Sequence, residues 1–408
     1  MKFIADLYNW INKNPEDYFN ATLIPGNKPK VLFIKPQLIA KDFYRYLMPY
    51  FTMRYCEAAA TAITELGQFE SKHNAEVKMP ITESQILWAD IIIFPFTTQP
   101  IKQVYEQIKE INPRAHTVFN IDFNFYELSQ VHPLYKTFEP KKVKKDIEEN
   151  MLHADTIMVS NSMFVEYLEK KIPEINTIGK KDFDIICVPY LLDFGLAHSN
   201  IDFSNNPATQ KNGKLRIGII ATENNWEDIN SFRKEFEEIH NRHKDKLQFV
   251  FIGFNCTDQA TMKNPISQFN FEIILNKNSR PISIINYFKS LYDANLDAVF
   301  IPLRKTVFNE TSDGYGRILE AASFKLPVIV PDVYPYNKII KNKTNGFLFT
   351  KKEELLLLID AFVAQPAALK QAGEKAHAYI DGKFGIKSGA GQILCSLFTT
   401  EKQPTHVN

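Results

Sequence analysis

The sequence predicts an α/β fold of two doubly wound parallel sheets, and three observations lead there. Short apolar runs recur along the 408 residues, separated by stretches with helical periodicity. The runs are continuous instead of alternating, which suits parallel strands covered on both faces. They fall into two sets either side of Ser199–Lys214, a polar stretch rich in Asn, Ser and Lys that reads as a linker. Strands alternating with helices make βαβ units, so each set predicts one Rossmann-like domain.

The chain opens with MKFIADLYNWINKNPEDYF, an amphipathic helical pattern ending near Pro15. Strands of the first half are expected at Val31–Ile34, Ile91–Phe96, Thr117–Ile121, Thr156–Val159 and Ile185–Val188. Those of the second half are expected at Leu215–Ile220, Phe249–Ile252, Glu272–Leu275, Ala298–Ile301, Val328–Val330 and Phe347–Phe349. The first domain is bounded at 1–198 and the second at 214–383, with a last helical segment at 384–408. Open α/β sheets bind ligands at the C-terminal ends of their strands. In the first half that edge receives Asp122, a candidate catalytic acid whose alternative role is loop capping, and Ser160-Asn161-Ser162. In the second, Ala221–Trp226 offers Thr222, Asn224 and Asn225 ahead of a helix at Asp228–Glu238, with no basic residue before Arg233. Gly253, after the next strand, lets backbone come close to a ligand.

The richest stretch is Leu296–Pro327, LDAVFIPLRKTVFNETSDGYGRILEAASFKLP. It reads as a buried strand, a polar loop over Pro302–Asp313, and a helix carrying Arg317 and Glu320. A helix N-terminus after a strand presents unpaired N–H groups and the positive end of the dipole, which favour an anion. Ser312 or Asp313 is placed to cap that helix, and Gly314 and Gly316 permit close approach. Residues three apart share a helix face, so Arg317 and Glu320 point the same way. A guanidinium suits phosphate and a carboxylate suits a pair of hydroxyls, together the features of a nucleotide diphosphate sugar. The plain alternative is an ion pair on a solvated helix face.

Asp297–Leu303, Phe308-Asn309, Gly314–Glu320, Ala321-Ala322, Leu326–Val330, Tyr334-Pro335-Tyr336 and Asn345–Leu348 follow one another in a familiar order. That order resembles the C-terminal domain of retaining glycosyltransferases of the GT-B fold, closest to family four and its bacterial surface-polysaccharide enzymes. In the first half, Tyr44-Arg45 and Pro49 resemble a tyrosine-arginine pair found early in some relatives. The resemblance implies a nucleotide-sugar donor on the second domain and a glycan or lipid-linked acceptor on the first, with chemistry in a cleft between them. It implies a final helix crossing back to the first domain. Donor contacts are implied for Thr222, Asn225, Gly253, Ser312, Asp313, Gly314, Tyr315, Gly316, Arg317 and Glu320, with Glu272–Arg280 near the base and Arg280 as its contact. The sequence departs from the family at one glutamate. Of the pair spaced E-x7-E, Glu320 matches the second, while the first falls on Ser312 with Asp313 the nearest acid.

Composition removes other classes. Lys and Arg total 48 against 47 Asp and Glu, a net charge of +1, which lacks the basic excess of a nucleic-acid binder. Cys56, Cys187, Cys256 and Cys395 lie far apart, as in reduced thiols of a cytoplasmic protein. No apolar run approaches ~18 residues, so contact with the inner face of a membrane would be peripheral. Lysine pairs such as Lys141-Lys142 and Lys144-Lys145 are candidates for it, and solvated faces are the alternative. Asp182-Phe183-Asp184 spells D-x-D but precedes its strand, so metal binding and cofactors other than the donor are not expected. HExxH, GxxxxGK, GxSxG and GxGxxG are missing, which argues against zinc hydrolase, NTPase, serine hydrolase and dehydrogenase chemistry. Two alternatives stand beside a glycosyltransferase: a non-catalytic scaffold of the same fold, and a sugar-nucleotide epimerase.

Overall fold

The computed structural model describes residues 28–35, 43–65, 81–176, 184–205, 207, 212–253, 272–274, 284–312, 314–389, 391–392, 394 and 397. The N-terminal helical pattern, Asp182, Arg280 and Asp313 lie outside the described residues. The chain divides into two compact units. The first comprises Met1–Tyr126, Lys136–Leu191 and Phe384–Asn408, the second Glu127–Tyr135 and Leu192–Lys383. The second unit thus begins ahead of the polar stretch Ser199–Lys214 and takes in a loop from the middle of the first half.

The sheet of the first unit contains β1 (Lys30–Lys35), β2 (Ala60–Glu65), β3 (Ile91–Phe94), β4 (His116–Asn120), β5 (Thr156–Val159) and β6 (Asp184–Cys187). They lie in the order β2-β1-β3-β4-β5-β6, all parallel. Val31, Leu32, Phe33 and Ile34 are fully buried, as a continuous run covered on both faces should be. Strand β2 was absent from the expected set. Its sequence, ATAITE, mixes Ala and Thr and carries no apolar run, and pairing with β1 decides its state. The C-terminal segment contributes to this unit through Lys387, whose ammonium lies 4.9 Å from the centre of the Tyr55 ring.

Arg45 organises the C-terminal edge of this sheet. It is 1% exposed. Its Nε donates to Asn120 Oδ1 at 2.8 Å, Nη1 to the Val188 carbonyl at 3.3 Å and Nη2 to the Met158 carbonyl at 3.3 Å. One buried cation therefore ties the ends of three neighbouring strands.

The second unit holds β7 (Leu215–Ile220), β8 (Leu247–Ile252), β9 (Glu272–Ile274), β10 (Ala298–Phe300), β11 (Val328–Pro331) and β12 (Phe347–Phe349). Their order is β12-β11-β10-β7-β8-β9, again parallel. One face of the sheet meets a phenylalanine-rich core. Phe232 meets Phe300 edge-on at 5.3 Å and Phe236 meets Phe249 at 5.2 Å, pairs worth about 0.5–1.5 kcal/mol each beyond their burial. At the opposite end from the strand C-termini, Arg216 is 5% exposed and grips Glu272 with two bonds of 2.7 and 3.0 Å. Glu272, the first residue of the segment expected near a base, thus clamps β7 from the start of β9, and residues 275–280 of that segment lie outside the described residues.

Candidate functional site

In the second sheet the strand order reverses between β7 and β10, since β8 lies to one side and β11 to the other. The crevice beyond the C-terminal ends of two such strands is where doubly wound sheets take ligands. Three segments border it: the loop after β7, the loop after β10, and the helix Gly316–Ser323.

The loop after β7 is shorter than expected. A 3-10 turn at Glu223–Asn225 leads straight into a helix at Trp226–Ser231, which breaks at Phe232 before Arg233–His243. Thr222 is exposed, and both its N–H and its hydroxyl donate to Asn225 Oδ1, at 3.1 and 3.4 Å. The two residues hold each other and fix the turn. Gly253 has φ +83°, and a Cβ there would stand 3.2 Å from the Ala221 carbonyl oxygen. Glycine therefore lets the backbone at the end of β8 lie against the backbone at the end of β7.

The loop after β10 was expected to stay irregular to Asp313, yet it contains the helix Val307–Ser312. Its anchor is Asp228, whose side chain is 6% exposed. Asp228 Oδ1 accepts from the Arg304 backbone N–H at 3.0 Å, Arg304 Nε at 3.0 Å and Asn309 Nδ2 at 2.9 Å. Burial pushes the Asp228 carboxyl up from its ordinary value, against the bonds from Arg304 and Asn309 that pull it down. Glu227 pairs with Arg304 Nη2 at 3.1 Å and accepts a hydrogen bond from the Ser129 hydroxyl. The loop Glu127–Tyr135 also brings the His132 ring to 5.1 Å from Phe308. Sequence reasoning passed over this network. A basic pair, Arg304-Lys305, just past a strand end was the available signal; its acidic partners lie 76 or more positions away.

The helix with Arg317 and Glu320 starts at Gly316, later than expected, with Tyr315 as N-cap and no side-chain capping bond. Ser312 or Asp313 was expected as cap. Instead Ser312 closes the preceding helix, and Gly314 and Tyr315 intervene. Tyr315, Gly316 and Glu320 are buried, and Gly314, Ser312 and Arg317 half-buried. At 5% exposure Glu320 does not sit on a solvated face. Its Oε2 accepts from the Tyr287 hydroxyl at 2.7 Å, while Arg317 Nη2 donates to the Tyr336 hydroxyl at 2.8 Å. Burial, then the Glu320 carboxylate, pushes the Tyr287 phenol well above its ordinary value, and Arg317 opposes them. The structure thus joins Glu320 to Tyr287, a residue with no local sequence signal, and Arg317 to Tyr336.

Asp122 belongs to the first unit. It is half-buried just past β4 and accepts from Asn120 Nδ2, which joins it to the Arg45 network. Asn161 caps the helix Ser162–Ile175, accepting from the backbone of Met163 at 2.9 Å and Phe164 at 3.3 Å. Among the described residues no cluster of three His, Cys, Asp or Glu side chains could hold a metal ion. No single described helix is long and apolar enough to cross a membrane.

Residues 201–379 match the family model described as Glycosyl transferases group 1. The match includes Asp228, Arg304, Arg317 and Glu320 and supports a transferase. The chain resembles the sucrose-phosphate synthase (tll1590) of Thermosynechococcus elongatus, with a TM-score of 0.57 at 13% identity over 91% of this chain and 99% of that one. It resembles Anabaena Alr3699/HepE in complex with UDP and glucose, with a TM-score of 0.55 at 12% identity over 90% and 99%. It also resembles TarM, with a TM-score of 0.50 at 16% identity over 76% of this chain, which spans 55% of the TarM chain. At these identities the likeness establishes the GT-B fold. No curated protein sequence matches the chain.

Proposed function

We propose that this protein moves a sugar from a nucleotide-sugar donor to a glycan or lipid-linked acceptor, with retention and without a metal ion or cofactor. The observation that carries the reading is the buried Glu320 carboxylate one turn from Arg317, behind the N-terminus of a helix inside the stretch that matches the group 1 model. In this reading Arg317 and the helix N-terminus bind the donor diphosphate, and Glu320 accepts hydrogen bonds from the ribose hydroxyls. Thr222, Asn225, Gly253, Ser312, Asp313, Gly314, Tyr315, Gly316 and Arg280 complete the donor side. Asp122 serves the acceptor side. As the sugar–phosphate bond breaks, negative charge grows on the diphosphate, and a fixed guanidinium with a helix dipole stabilises it without reorganisation. The acceptor oxygen attacks the same face of the sugar that the phosphate leaves, and the leaving phosphate oxygen takes the acceptor proton. A lipid-linked acceptor would bring the protein to a membrane surface. The HepE structures hold UDP with glucose and UDP-glucose, which makes a uridine diphosphate sugar the first donor to try.

Calorimetric titration of uridine and uridine diphosphate tests the site. Charge-assisted hydrogen bonds are worth roughly 1.5–3 kcal/mol, so losing one weakens binding about ten- to a hundredfold. Glu320→Gln is expected to weaken nucleoside and diphosphate alike, and Arg317→Ala to weaken the diphosphate and spare the nucleoside. Wild-type affinity in both variants would remove the donor site from this helix. Transfer that persists in EDTA and a product with the donor's anomeric configuration test the two finer claims.

A further inference from the structure

Arg317 and Glu320 leave the same helix face, and each meets a tyrosine hydroxyl from a different element. Tyr287 comes from the helix Ile284–Asp293 and donates to Glu320 Oε2 at 2.7 Å. Tyr336 is fully buried at the start of Tyr336–Ile339 and accepts from Arg317 Nη2 at 2.8 Å. A glutamate has three side-chain torsions, the last of them broad, so helix position alone does not set the plane of its carboxylate. A fixed donor on one oxygen does set it. The direction of the Tyr287 shift keeps the phenol protonated, and therefore donating, throughout the neutral range.

We propose that Tyr287 is a positioning residue that gives the donor site its selectivity for a ribose diol, by holding the Glu320 carboxylate in the orientation that accepts both hydroxyls. The inference rests on the reading of Glu320 as the ribose contact. A tyrosine that served the fold alone would lower every affinity equally or none. A positioning tyrosine acts only on ligands that carry the hydroxyls. Freezing a side chain that was already ordered costs nothing at binding, whereas ordering a loose one weakens binding by up to about tenfold.

The experiment compares uridine diphosphate with 2′,3′-dideoxyuridine diphosphate by calorimetry, with the guanosine and adenosine pairs run alongside. Wild type is expected to prefer the ribose form by about tenfold or more. Tyr287→Phe, which removes the hydroxyl and keeps the ring, is expected to lower ribonucleotide affinity about three- to tenfold and to leave the dideoxy form unchanged. On a Glu320→Gln background the same change should have no further effect on the ratio. Tyr287→Phe with the wild-type ratio, or with equal losses for both forms, overturns the inference and spares the ribose reading. Wild type that binds no diphosphate, or binds ribose and dideoxy forms equally, overturns both. Should Tyr287→Phe not fold, Tyr287→Leu also removes the hydroxyl while leaving Glu320 intact and is read by the same ratio.

Discussion

Replacing Asp228 with alanine should unfold the second unit's ligand edge before anything else. Asp228 Oδ1 accepts from the Arg304 N–H, Arg304 Nε and Asn309 Nδ2. These three donors do not suffer equally when the acceptor goes. Arg304 Nε belongs to a side chain that is 35% exposed and still paired with Glu227, so water replaces that bond cheaply. Asn309 Nδ2 keeps its 2.9 Å bond to the Arg304 carbonyl. The backbone N–H of Arg304 has no such reserve, and a buried donor left without a partner costs about 1–3 kcal/mol. With part of the Asn309 bond and the lost packing added, Asp228→Ala should cost roughly 2–4 kcal/mol. Asp228→Asn should cost far less, within about 1 kcal/mol, because it keeps an acceptor and sheds a charge that burial already disfavours. Urea unfolding followed by Trp226 fluorescence gives the stabilities, and hydrogen exchange on peptides from β7 and β10 locates the loss. An alanine variant within about 0.5 kcal/mol of wild type, or an asparagine variant worse than alanine, would refute the reasoning.

Two further outcomes can be measured on stability alone. Gly373 sits within the helix Ala367–Phe384, where a Cβ would collide with the Lys325 carbonyl oxygen. Helix propensity favours Gly373→Ala by about 1 kcal/mol and overpacking opposes it by about 1–3, so thermal melting should show a net loss, and a gain would mean the helix can shift. His198 lies against the rings of Phe194, Phe203 and Phe324, and burial followed by the charge of His377 lowers its pKa from 6.5 to about 4. The folded state therefore binds this proton less tightly than the unfolded chain. The stability from neutral His198 is complete above pH 6.5 and drains away as pH falls toward about 4. His198→Phe should flatten the fall in melting temperature across that window, and an unchanged slope would count against it.

The strands were legible because burial on both faces writes them as unbroken apolar runs; Thr156–Val159, Leu215–Ile220 and Phe347–Phe349 stand where they were read. Strand β2 was not, since Ala60–Glu65 owes its conformation to β1 and not to its own residues. Arg317 and Glu320 could be paired from spacing because a helix fixes which residues share a face. Tyr287 could not, since 33 positions separate it from Glu320 and no local rule links a phenol to a carboxylate at that range. The same holds for Asp228 and Arg304. The expected cap at Ser312 failed for a different reason: Val307–Ser312 is itself helical, which spends Ser312 on ending one helix instead of starting the next.

The loop Glu127–Tyr135 limits how modular this protein is. By sequence it sits among the strands of the first half, but its partners, Glu227 and Phe308, belong to the second unit. A gene split at Leu191 would give a C-terminal fragment whose Glu227 has lost the Ser129 hydroxyl and whose Phe308 has lost the His132 ring. Recombination that trades whole halves between related genes would pair one parent's loop with the other parent's acidic network. Hybrids of this fold should therefore fail at a seam that a linear map of the gene does not mark, unless the short loop travels with the half it serves.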